Sequence, residues 1–126
     1  MRHPFQAQAS AAFAISDDST SVIITTVPLG KRLVIEHVSE WVSLNAGQKV
    51  SLAEIETIYI NDCVFPITMT PQGTDFISGH DNFVGSEQVQ FYAESGTSVI
   101  GYAHRSGTGA GASATFVISG YIVDVL

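Results

Sequence analysis

Apolar and polar residues alternate along most of this chain with a period of two, the spacing of a β-strand whose two faces differ in burial. The alternation is clearest at 87–95, where Val89, Phe91 and Ala93 are predicted to face a core. Pro, Gly, Asn, Asp and Ser separate the alternating segments at short intervals, as turns require. The strands predicted in this way are 22–27, 32–44, 49–60, 63–69, 87–95, 98–105 and 114–126.

The segment 32–44 also fits a helical stripe, but we interpret it as a strand, and as a strand it has two different faces. The first face carries Leu33, Ile35, His37 and Trp41. The second face carries Val34, Val38 and Val42, interleaved with Arg32, Glu36 and Glu40. We predict that the second face lies at a sheet edge or at a contact between subunits.

The predicted strands assemble into one all-β domain over residues 1–126, with 1–10 as a mobile N-terminal arm. Pro66 cannot donate to a strand ladder, which places 63–69 at an edge or a bulge. The segment 114–126 is apolar on both faces and is predicted to be a central strand. Seven to nine short strands in one domain indicate an antiparallel β-sandwich, most simply a jelly roll.

Composition supports this fold class. The 126 residues, the size of one domain, include 13 Val, 12 Ile and 10 Thr but only 5 Leu, a bias that favours strands over helices. Charged residues make up 13% of the chain, about half of the ~25% that is typical of globular proteins. Ser, Thr, Gly, Asn and Gln must therefore cover much of the surface.

The charge balance narrows the range of partners. A net charge of −7, with 5 Lys plus Arg against 12 acidic residues, opposes binding to nucleic acid or anionic lipid. No apolar run approaches the ~18 residues that would span a bilayer, so no membrane insertion is expected. The single cysteine, Cys63, excludes an intrachain disulfide and a multi-cysteine zinc site. We interpret it as a small buried apolar residue.

The segment 70–87 is predicted to be an 18-residue loop, and it concentrates groups that could bind a ligand. Asp75, Asp81 and Glu87 are candidate ligands for calcium, although they lack the spacing of a calcium-binding loop. The same segment has the ingredients of a sugar site, with side chains that hydrogen-bond hydroxyls beside an aromatic platform. The candidate ligand-binding residues are Asp75, His80, Asp81, Asn82 and Phe83. The alternative is a surface loop pinned to the sandwich by its apolar residues, with the polar ones capping turns.

The sequence carries no specific catalytic motif. It has no G-x-S-x-G, and the glycines at 107–111 lack the following helix and the Lys of a phosphate-binding loop. Glu54 and Glu56 share one strand face, but a solvated sheet surface explains them without catalysis. We therefore predict a protein that is not an enzyme and that needs no cofactor other than the calcium considered above.

The stretches "TVPLGKRLVIEHVS" (26–39) and "FVISGYIVDVL" (116–126) resemble a pattern in small, uncharacterised bacterial β-sandwich proteins, many of which carry secretion signals. The resemblance covers about a fifth of the chain and rests on a hairpin and a central strand, so it implies no catalytic residues. It implies a β-sandwich and export, to the cell surface or the medium, after removal of a signal segment.

Two functions remain open on these grounds. The first is a non-catalytic binding module that recognises a glycan or another polar ligand through the segment 70–87. The second is a self-assembling structural or virion-type jelly roll, a homo-oligomer whose contact face carries Val34, Val38 and Val42.

Overall fold

The computed structural model describes residues 2–125 and confirms the predicted antiparallel β-sandwich, two sheets packed against each other. Strands account for most of the chain because its β-branched residues alternate with small polar ones. The strands are β1 (His3–Ala12), β2 (Ser19–Thr26), β3 (Lys31–Leu44), β4 (Val50–Tyr59), β5 (Asn61–Pro66), β6 (Thr70–Thr74), β7 (Asp81–Ala93), β8 (Ser98–Arg105) and β9 (Ser113–Asp124).

The five-stranded sheet has the order β1-β9-β3-β7-β6, and the four-stranded sheet has the order β2-β8-β4-β5. β5 lies at an edge, which confirms the position that Pro66 predicted. β9 pairs with β1 on one side and β3 on the other, which confirms that the C-terminal segment is a central strand.

The predicted mobile arm at 1–10 is wrong, apart from Met1, which lies outside the described residues. Residues 3–12 form β1, which pairs with β9 along its whole length. Phe5, Ala7 and Ala9 face inward and pack against the core. The inward positions are mostly alanines, whose small side chains give only a weak hydrophobic signal in the sequence.

The predicted 18-residue loop at 70–87 is also wrong. β6 pairs with the start of β7, so that only residues 75–80 connect the two strands. Pro71 and Gly73 obscured β6 in the sequence, since both residues weaken a strand interior. They are tolerated here because β6 is a short, fully exposed edge strand with a bulge between them.

A bulge at Glu36 decides which residues of β3 face the core. The register to both neighbouring strands shifts there, between Ile35 and His37, and such a shift exchanges the faces of all later side chains. Val38 and Val42 join the core, and Val34 is buried as well. The predicted contact face of valines is therefore wrong.

Because of the same bulge, two other side chains of β3 lie on the opposite face of the sheet from the one expected. Trp41 was predicted to lie with the core residues Leu33 and Ile35, but it is 55% exposed on the outer face of the five-stranded sheet. Glu40 is only 2% exposed. A carboxyl group thus lies inside the sandwich and an indole lies outside it.

Two glycines allow the sheets to approach closely. A Cβ at Gly101 in β8 would fall 2.6 Å from the ring of Phe116 in β9, so this ring lies directly on the opposite sheet. A Cβ at Gly85 in β7 would fall 2.6 Å from the carbonyl oxygen of Thr68. The crossover from β5 to β6 therefore covers the inner side of β7, beside Glu40, which pairs with Gly85 in the ladder.

Candidate functional site

The loop between β6 and β7 is held in one conformation by Asp75. Its carboxylate accepts a hydrogen bond from the N–H of Ile77 at 2.8 Å, and its own N–H donates to the carbonyl of His80 at 2.9 Å. Gly79 donates to the Asp75 carbonyl and adopts the positive φ of 73° that closes the turn. The Ile77 N–H is the main cause that lowers the pKa of Asp75, with smaller contributions from Ser78 and His80. The carboxylate is thus preorganised and ionised at the protein surface.

Asp81 ties this hairpin to a neighbouring loop. One carboxylate oxygen accepts the N–H of Gly47, in the β3–β4 loop, at 2.9 Å, and the other accepts the hydroxyl of Thr74 at 2.5 Å. The Thr74 hydroxyl and then the Gly47 N–H lower the pKa of Asp81. Asp81 was predicted to bind a ligand, whereas both of its oxygens already hold the two loops together.

Phe83 was predicted to provide an aromatic platform for a ligand. The structure corrects this, because Phe83 points into the core and is only 8% exposed. β7 alternates strictly at this point, so Asn82 and Val84 face outward while Phe83 faces inward.

The candidate calcium ligands do not converge. Glu87 lies six residues beyond Asp81 in β7, a separation of roughly 20 Å along an extended strand. Asp81 uses its oxygens within the fold, and Asp75 lies in the loop. Within residues 2–125, no three His, Cys, Asp or Glu side chains are grouped so that they could hold a metal ion.

Three of the predicted residues do meet, in a groove at the end of the outer face of the five-stranded sheet. Asp75, His80 and Asn82 line a volume of about 270 Å³ together with Trp41. The indole N–H of Trp41 donates to the side-chain oxygen of Asn82 at 3.3 Å, which fixes the orientation of both groups. We call this volume the Trp41 groove. Its lining is Trp41, Ser43, Asp75, Ser78, His80, Asn82, Ser113 and Thr115.

The wall of the groove at His80 is supported by the loop between β8 and β9. A Cβ at Gly111 would fall 3.1 Å from the His80 ring, so only a glycine backbone lies so close to it without displacing it. This loop is rich in glycine, with Gly107, Gly109 and Gly111 within five residues. In the structure its residue Gly109 accepts a hydrogen bond from the buried side chain of Arg105, which also binds Asn45 in the β3–β4 loop. The loop is therefore anchored.

Sequence reasoning missed Trp41, Ser43, Ser78, Ser113 and Thr115 as site residues. Ser43, Ser113 and Thr115 alternate with buried residues in β3 and β9, as any solvated strand face would. Trp41 was placed on the inner face, and only the bulge at Glu36 moves it outward. The local signal of the bulge is weak, since it consists of two successive polar residues, Glu36 and His37, where strict alternation would place one.

No protein-family model, curated protein or solved structure matches this chain. The part of the chain that the structure describes has no helix of the length and apolarity needed to cross a membrane.

Proposed function

We propose that the protein is a non-catalytic binding module that recognises a glycan or a similar polar ligand in the Trp41 groove. The observation that carries this proposal is the exposed indole of Trp41, fixed by Asn82 and surrounded by hydroxyl, amide, imidazole and carboxylate groups. An aromatic side chain with an apolar ring and a polar N–H, beside a few convergent polar groups, is typical of ligand-binding sites.

The chemistry of the groove suits a sugar ring. The apolar C–H face of a sugar can stack on the indole, which offers a large rigid surface with little conformational entropy to lose. Asn82 offers both donors and acceptors to hydroxyl groups, and the ionised Asp75 has acceptor sites beyond those its own loop uses. The groove is preorganised by hydrogen bonds within the protein, which reduces the entropy cost of binding.

Trp41 is the only tryptophan of the chain, so its fluorescence reports on the groove alone. We expect a soluble glycan that binds to change this fluorescence in a saturable way. Trp41→Ala should weaken binding at least tenfold, or by about 1.4 kcal/mol. Calorimetry measures this affinity, because the variant has no tryptophan. The stability of the variant should change little, since the indole is exposed.

The matched control is Phe76→Ala, which removes a fully exposed aromatic ring at the tip of the 75–80 loop, outside the groove. This control should bind like the parent protein. Full affinity in Trp41→Ala together with lost affinity in Phe76→Ala would move the site to the loop tip and refute the groove.

A second candidate function, self-assembly, is favoured by the outer face of the four-stranded sheet. Ile23 is 57% exposed and Val64 is 51% exposed, in one row across the sheet with Ile100 and Glu56 between them. Leu52 and Ile58 are also exposed on β4. Burial of this row against a second copy would remove apolar surface from water.

If the protein assembles through this row, Ile23→Lys should convert an oligomer into monomers in native mass spectrometry. Ile15→Lys is the control, because Ile15 is also well exposed, at 67%, but lies in the β1–β2 loop. A monomeric parent protein, or an Ile23→Lys variant with the parent's subunit number, would rule out this surface.

A further inference from the structure

The Trp41 groove, with the carboxylate of Asp75 in its lining, is one end of a larger polar surface on the outer face of the five-stranded sheet. Four strands of the five-stranded sheet, β1, β9, β3 and β7, place their outward side chains in four rows. The rows are Gln6–Ser119–His37–Gln88, Gln8–Val117–Ser39–Ser86, Ser10–Thr115–Trp41–Val84 and Ala12–Ser113–Ser43–Asn82.

The composition of these rows points to an uncharged ligand. Amides and hydroxyls predominate, and Lys, Arg, Asp and Glu are absent from the rows, although the chain as a whole has a net charge of −7. A surface that binds an anionic polymer needs cationic side chains, which replace the counterions of the polymer. The four rows offer no carboxylate to pair with a cationic ligand, since Asp75 lies beyond their end, in the groove. Amides and hydroxyls match the many hydroxyls of a neutral carbohydrate.

The shape of the surface points to a ligand longer than one sugar ring. A second hollow, of about 470 Å³, adjoins the Trp41 groove and shares Trp41 and Thr115 with it. Its other outward-facing lining residues are Gln8, Ser39, Val84, Ser86 and Val117. Trp41 thus lies between two hollows, and the four strands span roughly 14 Å from β1 to β7.

Hydrogen bonds between strands hold several of these side chains in place. Ser86 and His37 are joined at 2.8 Å, and Ser10 and Thr115 at 2.9 Å. With the bond from Trp41 to Asn82, each pair links neighbouring strands and fixes side chains that would otherwise rotate. The surface is therefore preorganised along the line from β1 to β7.

We infer that this outer face binds an extended, uncharged polysaccharide chain, which passes over Trp41 and occupies the hollows on both sides of it. The inference rests on the proposed function, to which it adds the class of ligand and the length of the site. A chain that fills both hollows gains contacts that a disaccharide in the Trp41 groove lacks.

The test varies the length and the charge of the carbohydrate probe. Its readout is the tryptophan fluorescence of the full protein. The probes are the soluble neutral polysaccharides hydroxyethylcellulose, xyloglucan and galactomannan, the disaccharides cellobiose and mannobiose, and the acidic polysaccharide polygalacturonate. We expect at least one neutral polysaccharide to bind ten or more times more tightly than its disaccharide, and polygalacturonate not to bind.

The variant Ser39→Arg places a long side chain in the second hollow and leaves the Trp41 groove intact. It should reduce polysaccharide affinity to that of the disaccharide, whose own affinity stays unchanged. Ser21→Arg, an exposed position on the other sheet, is the matched control and should bind like the parent protein. Gln8→Arg enters the same hollow from the edge strand β1 and replaces Ser39→Arg if that variant unfolds.

The outcomes separate this inference from the proposed function. Equal affinity for polysaccharide and disaccharide, insensitive to Ser39→Arg and Gln8→Arg, would overturn the extended site and leave the groove as a site for single sugar units. Preferential binding of polygalacturonate would overturn the uncharged ligand. Absence of binding by every probe would refute the proposed function and this inference together.

Discussion

Replacing Glu40 with methionine is expected to raise the free energy of unfolding by roughly 3 kcal/mol near pH 7, and by more at higher pH. Neither carboxyl oxygen of Glu40 has a hydrogen-bond partner within residues 2–125, and the side chain lies inside the sandwich. Burial raises the pKa of Glu40 from 4.5 to about 9, because water cannot solvate the charged form there. The folded protein therefore keeps this carboxyl group protonated at neutral pH.

The direction of the pH effect follows from proton binding. Between about pH 4.5 and 9 the folded state holds a proton on Glu40 that the unfolded chain has released, so stability falls as the pH rises. The fall is ~1.36 kcal/mol per pH unit, and about 2.5 units separate pH 4.5 from pH 7, which gives roughly 3 kcal/mol. Below pH 4.5 both states are protonated and this cost disappears. Methionine does not titrate, and its flexible apolar side chain suits an irregular core position.

Urea unfolding between about pH 5 and pH 9 tests this expectation. The difference in stability between Glu40→Met and the parent protein should grow steadily with pH. Glu36→Gln is the control, since it removes an exposed carboxylate at the bulge of the same strand and should follow the parent curve. Parallel curves for Glu40→Met and the parent protein would show that Glu40 is ionised and solvated in the folded state.

Strand β3 shows which structural features the alternation in the sequence predicts and which it does not. The alternation correctly groups Val38, Glu40 and Val42 on one side of the strand. It does not say which side faces the other sheet, because that depends on the one-residue bulge at Glu36, and the bulge is fixed by pairing with two strands distant in sequence. Thus the fold class could be predicted from local pattern, whereas the inner and outer faces of the longest strand could not.

The sequence likewise predicted some residues of the candidate site but not the strands that complete it. Polar residues clustered at 70–87 drew attention to Asp75, His80 and Asn82, which do line one groove. Their aromatic partner comes from a strand about 40 residues earlier, and the groove is completed by β9. Contacts between strands so far apart in sequence depend on strand order, which no local spacing encodes.

The second large effect is expected at Arg105, whose replacement by alanine should lower the free energy of unfolding by roughly 3 kcal/mol. The guanidinium is buried at the end of β8 and lies 4.7 Å from the ring of Phe13. It has no carboxylate partner among the salt bridges of residues 2–125 and is instead satisfied by oxygens of three loops. These acceptors are the carbonyls of Ala14, Asp17 and Gly109 and the side chain of Asn45.

Alanine would leave these partly buried oxygens without their donors and remove the group that joins the β1–β2, β3–β4 and β8–β9 loops. Arg105→Lys should recover only part of the loss, because an ammonium group lacks the planar set of donors that reaches all three loops. Lys49→Ala, which removes an exposed cation immediately before β4, is the control and should unfold like the parent protein. An unfolding midpoint of Arg105→Ala equal to that of the parent protein would contradict this role.

The same substitutions test the link between this cluster and the Trp41 groove. Gly109 is held by Arg105, and Gly111, two residues further along the loop, lies against the His80 ring that walls the groove. If the cluster positions that wall, Arg105→Lys should weaken glycan binding under conditions in which the variant remains folded, whereas Lys49→Ala should not. Parent-like binding by folded Arg105→Lys would show instead that the groove keeps its shape through the Asp75 loop and the contact of Trp41 with Asn82 alone.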